Sequence, residues 1–336
     1  MKYKILIVDD EQDNLDLMYR TMRREYEIER ASGPLQALNI LENNQDFALI
    51  FSDHKMPDMD GVEFLKRASE YVPHAVKILV TAYTDSRILI DAINNAKIYR
   101  YVKKPYAPEE LLYVAKTCAE YYQLKVDNEK LIADLKELFG GTIKAITEAL
   151  DAKDQYTAGR SRRVTFYASK LAQKLGFSNS EAGKIELAGL LHDIGMIGVT
   201  EEILHKTEQL TPQEFNEIKR HVFHSIKILE DIKQLEGVVE IIKYHHEHYD
   251  GTGYPFGLEG EAIPIGSRII AIADAFDGIL SNRAYKQKAS LEEAQAELKQ
   301  LAGTQFDPKL IEVFETILPE LESGLMEIES PNVFEN

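Results

Sequence analysis

The sequence predicts a multidomain chain in which a doubly wound α/β domain, built on a five-stranded parallel sheet, precedes a helical linker and an all-α domain. In the first half, short apolar runs alternate with stretches of helical spacing, which is typical of βαβ units. In the second half, apolar residues recur at helical spacing and no convincing run has a period of two. A heptad pattern joins the halves. We expect domains over residues 1–120, 121–141 and 142–325, with a tail over 326–336.

Five strands are predicted from short apolar runs in the first half. The runs cover residues 4–8, 26–31, 47–52, 76–81 and 98–102. Between them, apolar residues lie three or four positions apart, which predicts five helices. Such a doubly wound sheet takes the strand order 2-1-3-4-5, so strands 1 and 3 lie side by side at its switch point.

The linker prediction depends on a short heptad seam. Its residues follow one another at intervals of four and three positions: Leu124, Asn128, Leu131, Leu135, Leu138 and Thr142. A lone Asn at an a position fixes the register of parallel two-stranded coils. The seam therefore favours a homodimer through the linker, and the alternative is one amphipathic helix packed on its own chain.

Helices of the second half are predicted from seven stretches with a period near 3.6. They cover residues 143–150, 164–175, 185–191, 215–229, 238–244, 269–280 and 291–301. A Gly and Pro cluster marks residues 250–265 as a loop-rich interruption.

Composition and charge exclude several classes of function. The chain has 336 residues, with 39 Lys and Arg against 56 Asp and Glu, for a formal net charge of −17. Direct DNA binding is disfavoured, because a basic surface supplies most of that affinity. The first apolar run is too short for a signal peptide or a membrane-spanning helix, and the single cysteine, Cys118, cannot form an intrachain disulfide. We expect a cytoplasmic protein without membrane association.

Polar side chains follow four of the predicted strands. Asp9 and Asp10 follow strand 1, and Asp53 ends strand 3, so the three carboxylates should meet at the switch point. A hard cation such as Mg²⁺ relieves the repulsion of clustered carboxylates. Thr81 ends strand 4 and Lys104 follows strand 5, where a hydroxyl and an ammonium group can hold transferred phosphoryl oxygens. The set predicts a phosphoryl-acceptor site.

These residues lie in the motifs ILIVDDE, FSDHKMPDMDG, LVTA and YVKKP. In order and spacing they resemble the receiver domain of two-component response regulators. The resemblance implies a flavodoxin-like fold, Asp53 as the phosphoacceptor and a sensor histidine kinase as partner. It implies no function for His54. The other implied roles are Mg²⁺ binding by Asp9, Asp10 and the carbonyl of Lys55, phosphoryl contacts from Thr81 and Lys104, and an aromatic switch at Tyr101.

A second cluster contains seven of the nine histidines, all between His192 and His248. Two adjacent pairs, His192-Asp193 and His245-His246, lie in helical stretches. Imidazole and carboxylate ligands suit Fe, Mn, Ni or Zn. A carboxylate can bridge two such metals about 3.5–4 Å apart, which is a known arrangement for phosphodiester hydrolysis.

The motifs LLHDIG, HHEHYDGTGYP and IIAIADAFDGILSNRAYK resemble the HD-GYP branch of the HD phosphohydrolases, which hydrolyse cyclic di-GMP. The resemblance implies one or two transition metals, with Asp193 bridging. The implied ligands are His192, Asp193, His221, His245, His246 and Asp274. The implied substrate contacts are Gly253, Tyr254, Pro255, Arg283 and Lys286.

Three positions depart from the family pattern. Arg160 stands where the family has its first metal-binding histidine, Tyr156 where one branch adds a glutamate ligand, and Met196 where a lysine binds phosphate. A guanidinium group cannot ligate a cation, and it would pair with the carboxylates of the His192–Asp193–Asp274 position. We therefore expect one firmly bound metal and a second that is weak or absent.

Together these patterns predict a response regulator whose phosphorylation at Asp53 controls hydrolysis of cyclic di-GMP to pGpG or GMP. The alternative is a weak or inactive output domain that senses cyclic di-GMP or docks a protein. A hydrolase of another nucleotide is a third interpretation, which the GYP loop disfavours. Whether phosphorylation activates or inhibits the output stays open.

Overall fold

The computed structural model describes residues 2–82, 98–153, 159–206, 208–281 and 289–328. The chain forms two compact units, Met1–Glu137 and Leu138–Asn336, which we call the α/β unit and the helical unit. Within the described ranges, no helix combines the length and apolar character needed to cross a bilayer.

The α/β unit contains the predicted parallel sheet, in the order β2-β1-β3-β4-β5. Its strands are β1 (Lys4–Val8), β2 (Glu27–Ala31), β3 (Leu49–Asp53), β4 (Val76–Thr81) and β5 (Arg100–Lys103). Its helices are α1 (Gln12–Met22), α2 (Pro34–Asn43), α3 (Gly61–Tyr71) and the first part of α4 (Pro108–Lys153). The helix expected between the last two strands lies outside the described residues.

Both faces of the sheet are covered, which explains the continuous apolar runs. Ile5 and Ile7 of β1 pack on one face with α1 and α4, while Leu6 and Val8 pack on the other face with α2 and α3. The observed third strand begins two residues after the predicted run, because Phe47 is buried before strand pairing starts. Parallel pairing places the carboxyl ends of β1, β3 and β4 at one edge.

The linker is part of one 46-residue helix, α4, so the predicted helix is confirmed. The leucines of its seam are exposed: Leu124 by 69%, Leu131 by 58%, Leu135 by 55% and Leu138 by 66%.

The helical unit continues from α4 with helices that pack around one apolar core. They are α5 (Arg160–Lys174), α6 (Asn179–Leu191), α7 (Glu201–Leu204), α8 (Pro212–Lys219), α9 (His221–Leu229), α10 (Glu236–Lys243), α11 (Ile265–Leu280), α12 (Leu291–Gln300) and α13 (Pro308–Ile328). Three aromatic rings, those of Tyr167, Phe276 and Phe314, make edge-to-face contacts at the centre of this core. These contacts hold α5, α11 and α13 together.

One predicted helical stretch, residues 215–229, is two helices in the structure. The break lies at Arg220, whose N–H donates to the carbonyl of Glu217 in a tighter turn. The predicted loop over residues 250–265 is irregular apart from a 3₁₀ turn at Gly260–Ala262 and the start of α11 at Ile265.

Candidate phosphoacceptor site and metal centre

Two buried carboxylates share one ammonium group at the carboxyl edge of the sheet. Asp53 ends β3, and Asp9 directly follows the neighbouring β1. The Nζ atom of Lys104 lies 3.0 Å from Oδ2 of Asp9 and also contacts Oδ1 of Asp53. Burial opposes the charged form of Lys104, but the two carboxylates outweigh it and raise the pKa of the ammonium group above its ordinary value. Three of the predicted residues are therefore in direct contact.

Backbone groups fix the orientation of both carboxylates. The N–H of Lys55 donates to Oδ2 of Asp53 (2.8 Å), and the N–H of Glu11 donates to Oδ1 of Asp9 (2.9 Å). The chain also returns close to β3, because a Cβ atom on Gly61 would lie 2.0 Å from the carbonyl oxygen of Asp53. Only a glycine permits this approach, so the first turn of α3 is held against the end of the strand.

Other side chains surround this edge of the sheet. Thr81 is buried at the end of β4, and its hydroxyl oxygen lies 3.3 Å from Nδ1 of His54. Asp10 is exposed, and the side chain of Tyr101 is 45% exposed. Sequence reasoning gave His54 no function, and only its place beside Asp53 could have brought it to notice.

Tyr106 is a residue that the sequence analysis did not single out. Its hydroxyl is buried, and no described residue accepts or donates a hydrogen bond to it. Burial raises the pKa of this phenol, and its charge interactions extend to Lys104, Asp9 and Asp53. A tyrosine two positions after a lysine carries no pattern that could have found it.

Buried imidazoles converge in the helical unit. The Nδ1–H groups of His192, His221 and His245 donate to the backbone carbonyl three residues earlier, at 2.8, 2.7 and 2.6 Å. A carbonyl only accepts, so each Nδ1 carries a proton, and in the neutral form of each ring Nε2 carries a lone pair. These three Nε2 atoms are buried, and none has a hydrogen-bond partner among the described residues. Oriented, unsatisfied lone pairs of this kind fit a metal ion.

The candidate ligand atoms form two groups, and within each group all of these atoms lie within 4.8 Å of one another. The larger group is Asp193, His221, His245 and His246, and the smaller is His192, Asp193 and Asp274. Asp193 belongs to both, with Oδ2 3.1 Å from Nε2 of His192 and Oδ1 3.5 Å from Nε2 of His221. The fold thus brings together all six residues predicted from the sequence.

The guanidinium group of Arg160 lies beside the smaller group. Its Nη2 and Nε atoms are 2.6 and 3.0 Å from Oδ1 of Asp274, and Nε is 3.9 Å from Oδ2 of Asp193. The pairing expected from the sequence is therefore present. Three residues further along α5, Arg163 makes a similar pair with Asp277, with contacts of 2.6 and 3.1 Å.

Charge and burial give the histidines opposite protonation preferences. Burial opposes the charged form of His192, yet Asp193 and Asp274 outweigh it and raise the pKa of its imidazole to about 10. Burial, together with the neighbouring imidazoles, lowers the pKa of His245 to about 3 and that of His246 well below its usual range. The last two are therefore neutral near pH 7, the form that binds metals.

A glutamate that sequence reasoning did not single out organises the loop beside the centre. Glu247 is 2% exposed. Its carboxylate accepts three backbone N–H groups, from Phe256 at 2.7 Å, Gly257 at 3.0 Å and Leu258 at 3.1 Å. Its position between the histidine pair and the Gly-rich run was the available signal.

The loop held in this way places an aromatic ring on the metal centre. Tyr254 stacks on His246 with ring centroids 4.8 Å apart. Both residues line a cavity of about 470 Å³, which also reaches Asp274 and Arg160. The arrangement has the size and polarity of a small-molecule site.

Comparisons with known proteins agree with this two-part geometry. The response regulator receiver domain matches residues 5–116, and the HD domain matches residues 144–310. The cyclic di-GMP phosphodiesterase response regulator RpfG of Xanthomonas campestris is 31% identical over 328 residues, covering 92% of this chain and 86% of that protein. The chain belongs to the response regulators that carry an HD domain.

Two further relatives of this response regulator show the range of the family. A cyclic di-GMP phosphodiesterase of Thermotoga maritima is 30% identical over 331 residues, covering 92% of this chain and 89% of the relative. The 3'3'-cGAMP-specific phosphodiesterase 2 of Vibrio cholerae is 37% identical over 192 residues, covering 56% of this chain and 37% of the relative.

Of the other predicted positions of the response regulator, one lies beside the candidate metal centre and three lie outside the described residues. Met196 is half-buried and lines a small cavity with Arg160 and Asp193. The positions that lie outside the described residues are Tyr156, Arg283 and Lys286.

Proposed function

We propose that this response regulator is a metal-dependent phosphodiesterase that hydrolyses cyclic di-GMP to pGpG or GMP, under the control of phosphorylation at Asp53. The observation that carries the proposal is the set of three buried imidazole Nε2 atoms that are grouped around Asp193 and make no hydrogen bond with the described residues. The two relatives that span nearly the same length are both named cyclic di-GMP phosphodiesterases, which supports this substrate.

In the proposed centre, one Fe, Mn, Ni or Zn ion is held by the larger group, Asp193, His221, His245 and His246. The bound ion would supply a Lewis acid that lowers the pKa of a water molecule and neutralises charge on the phosphate. The residues of the chain position the ligand atoms and the loop beside them. The backbone carbonyls fix the imidazole tautomers, Glu247 fixes the loop, and the ring of Tyr254 covers one face of His246.

In the proposed receiver reaction, a carboxylate oxygen of Asp53 bonds to the phosphorus of a phosphohistidine on the sensor kinase while the P–N bond breaks, which returns the imidazole to the kinase. Mg²⁺ held by Asp9, Asp10 and the carbonyl of Lys55 would neutralise the transferred oxygens. Lys104 already contacts both buried carboxylates, so it can move from Oδ1 of Asp53 to a phosphoryl oxygen over a short distance. Thr81 would supply a hydroxyl donor, and Tyr101 would change its exposure as the switch.

A second function, cyclic di-GMP sensing or protein docking without turnover, is favoured by one observation. Arg160 is already paired with Asp274, so a positive charge stands beside the second metal position. An HD domain with one ion retains the cavity for a nucleotide but has lost part of the clamp for an in-line displacement.

Turnover and metal content decide between these two functions. We expect the full chain, purified with Mn²⁺ or Fe²⁺, to open cyclic di-GMP, to lose this activity in chelator and to regain it when metal is restored. Chromatography of the products, with 3'3'-cGAMP as a competing substrate, is the measurement. A His245→Ala variant purified in parallel controls for a contaminating enzyme. Tight binding of cyclic di-GMP with no product at full metal occupancy would instead establish the sensor.

We also propose that the linker forms a parallel homodimer. The seam leucines of α4 are exposed, which leaves an unpaired apolar a/d face of the kind that associates in coiled coils. We expect light scattering to give a dimer mass for the full chain and a monomer mass for a Leu131→Glu/Leu138→Glu variant. Ala133→Glu adds a charge on the outer face of the same helix and should leave the dimer intact. Equal masses for all three proteins would show that the seam does not associate.

A further inference from the structure

One lysine contacts two aromatic rings that line the cavity. Lys219 is the last residue of α8, and its Nζ atom lies 4.8 Å from the ring centroid of Phe215 and 4.8 Å from that of Tyr254. The first contact is an i, i+4 pair on one helix face. Both rings line the 470 Å³ cavity, so the ammonium group contacts two residues of the cavity wall. Since Tyr254 stacks on His246, two ring contacts separate the charge from the metal centre.

The charge of Lys219 is not neutralised by a neighbouring carboxylate. Within the described part of the chain, no Asp or Glu oxygen lies within ion-pair distance of its Nζ atom, whereas nearby cations on the same segment do have such partners, Lys206 with Glu214 and Arg220 with Glu217. Arg160, which does line the cavity, is paired with Asp274. Aromatic faces hold a cation in place but leave its charge available to an anion.

The proposed substrate has one anionic group more than the metal centre can receive. A cyclic dinucleotide contains two phosphodiesters, and only the one that is cleaved can lie at the metal. The other phosphate keeps its negative charge and enters the same cavity, where a positioned ammonium group can form a charge-assisted hydrogen bond to it. We propose that Lys219, positioned by Phe215 and Tyr254, binds this non-scissile phosphate. The inference rests on the proposed function.

The kinetic test compares substrates with and without a second phosphate. For Lys219→Met, we expect KM for cyclic di-GMP to rise about tenfold, a difference of about 1.4 kcal/mol, with kcat within about twofold. Hydrolysis of bis(p-nitrophenyl) phosphate, a single phosphodiester, should not change. Lys219→Arg should restore most of the affinity, because it keeps the charge. An unchanged KM for cyclic di-GMP, or an equal loss on both substrates, would overturn the assignment.

The chain offers a matched control for loss of a lysine from an aromatic pair. The Nζ atom of Lys243 lies 5.0 Å from the ring of Tyr244 and 4.6 Å from that of Phe256, and neither ring is part of the described cavity lining. Lys243→Met should keep the KM of the unmodified protein. A rise equal to that of Lys219→Met would mean that cation–π packing, rather than phosphate binding, explains the effect.

Equilibrium binding provides a measurement that does not depend on turnover. Calorimetric titration with cyclic di-GMP should show a tenfold higher Kd for Lys219→Met. The Kd of this variant should also depend less on salt concentration, because the variant lacks one ammonium–phosphate contact that salt would screen. If the unmodified protein binds cyclic di-GMP and the variant binds equally well, this inference alone fails. If the unmodified protein neither binds nor hydrolyses it, the proposed function fails and the inference fails with it.

Discussion

Replacing Arg160 with histidine is expected to raise the metal content from one ion toward two per chain and to increase turnover of cyclic di-GMP. The guanidinium group contacts Asp274 at 2.6 Å and lies 3.9 Å from Asp193, the two carboxylates of the smaller ligand group. A fixed positive charge about 4 Å from a divalent cation costs about 1–4 kcal/mol per unit charge between bulk water and a surface-like dielectric. Each 1.4 kcal/mol is a tenfold change in affinity, so affinity should rise by one to several decades. Elemental analysis of proteins purified identically is the measurement.

Two variants separate the effect of the charge from that of the new ligand. Arg160→Gln removes the charge without supplying an imidazole and should raise occupancy only in part. Arg163→His breaks the neighbouring ion pair with Asp277 and should leave metal content unchanged. Because an unpaired buried carboxylate is destabilising, thermal melts with and without metal should accompany the analysis. Two ions per chain in the unmodified protein would contradict the prediction, and Met196 is the next residue to replace if occupancy rises without turnover.

Asp53→Asn is expected to abolish phosphoryl transfer from acetyl phosphate in the presence of Mg²⁺. The carboxylate of Asp53 contacts Lys104 and accepts the N–H of Lys55, so its neighbours are ready to hold an acyl phosphate in place. An amide of nearly the same shape keeps the geometry but is not a nucleophile. Intact-mass spectrometry should show one added phosphoryl group on the unmodified chain and none on the variant.

An exposed aspartate on the same unit provides the control for this labelling. Asp46 precedes β3 and is exposed, and Asp46→Asn should be labelled as fully as the unmodified chain. Beryllofluoride binding, which mimics the acyl phosphate, should follow the same order. Equal labelling of the unmodified chain and Asp53→Asn would show that another residue accepts the phosphoryl group.

The centre of the sheet was predictable because β1, β3 and β4 are buried on both faces, so apolar runs such as residues 4–8 stand out from the amphipathic helices around them. The predicted strand order determines which loops lie next to one another. It therefore predicted from the sequence alone that Asp9, Asp53 and Lys104 lie close together. The break at Arg220 was not predictable, since apolar spacing continues through it. It arises from one tighter backbone turn, which leaves no trace in side-chain periodicity.

The candidate metal ligands were found because metal coordination demands particular residue types in tight motifs. Glu247 was missed for the opposite reason. Its carboxylate accepts hydrogen bonds from the backbone N–H groups of residues 256–258. Almost any residue type can provide such a group, so these bonds leave no pattern in the sequence. Lys219 was not singled out because its contacts with Phe215 and Tyr254 depend on how the helix and the loop pack.

The two arginine pairs described above join α5 to α11 one helical turn apart, Arg160 with Asp274 and Arg163 with Asp277. In a centre with two metals, an ion would have to draw these helix faces together. Here the crosslink is made of protein alone, so a newly synthesised chain can close this part of the domain before it meets any metal.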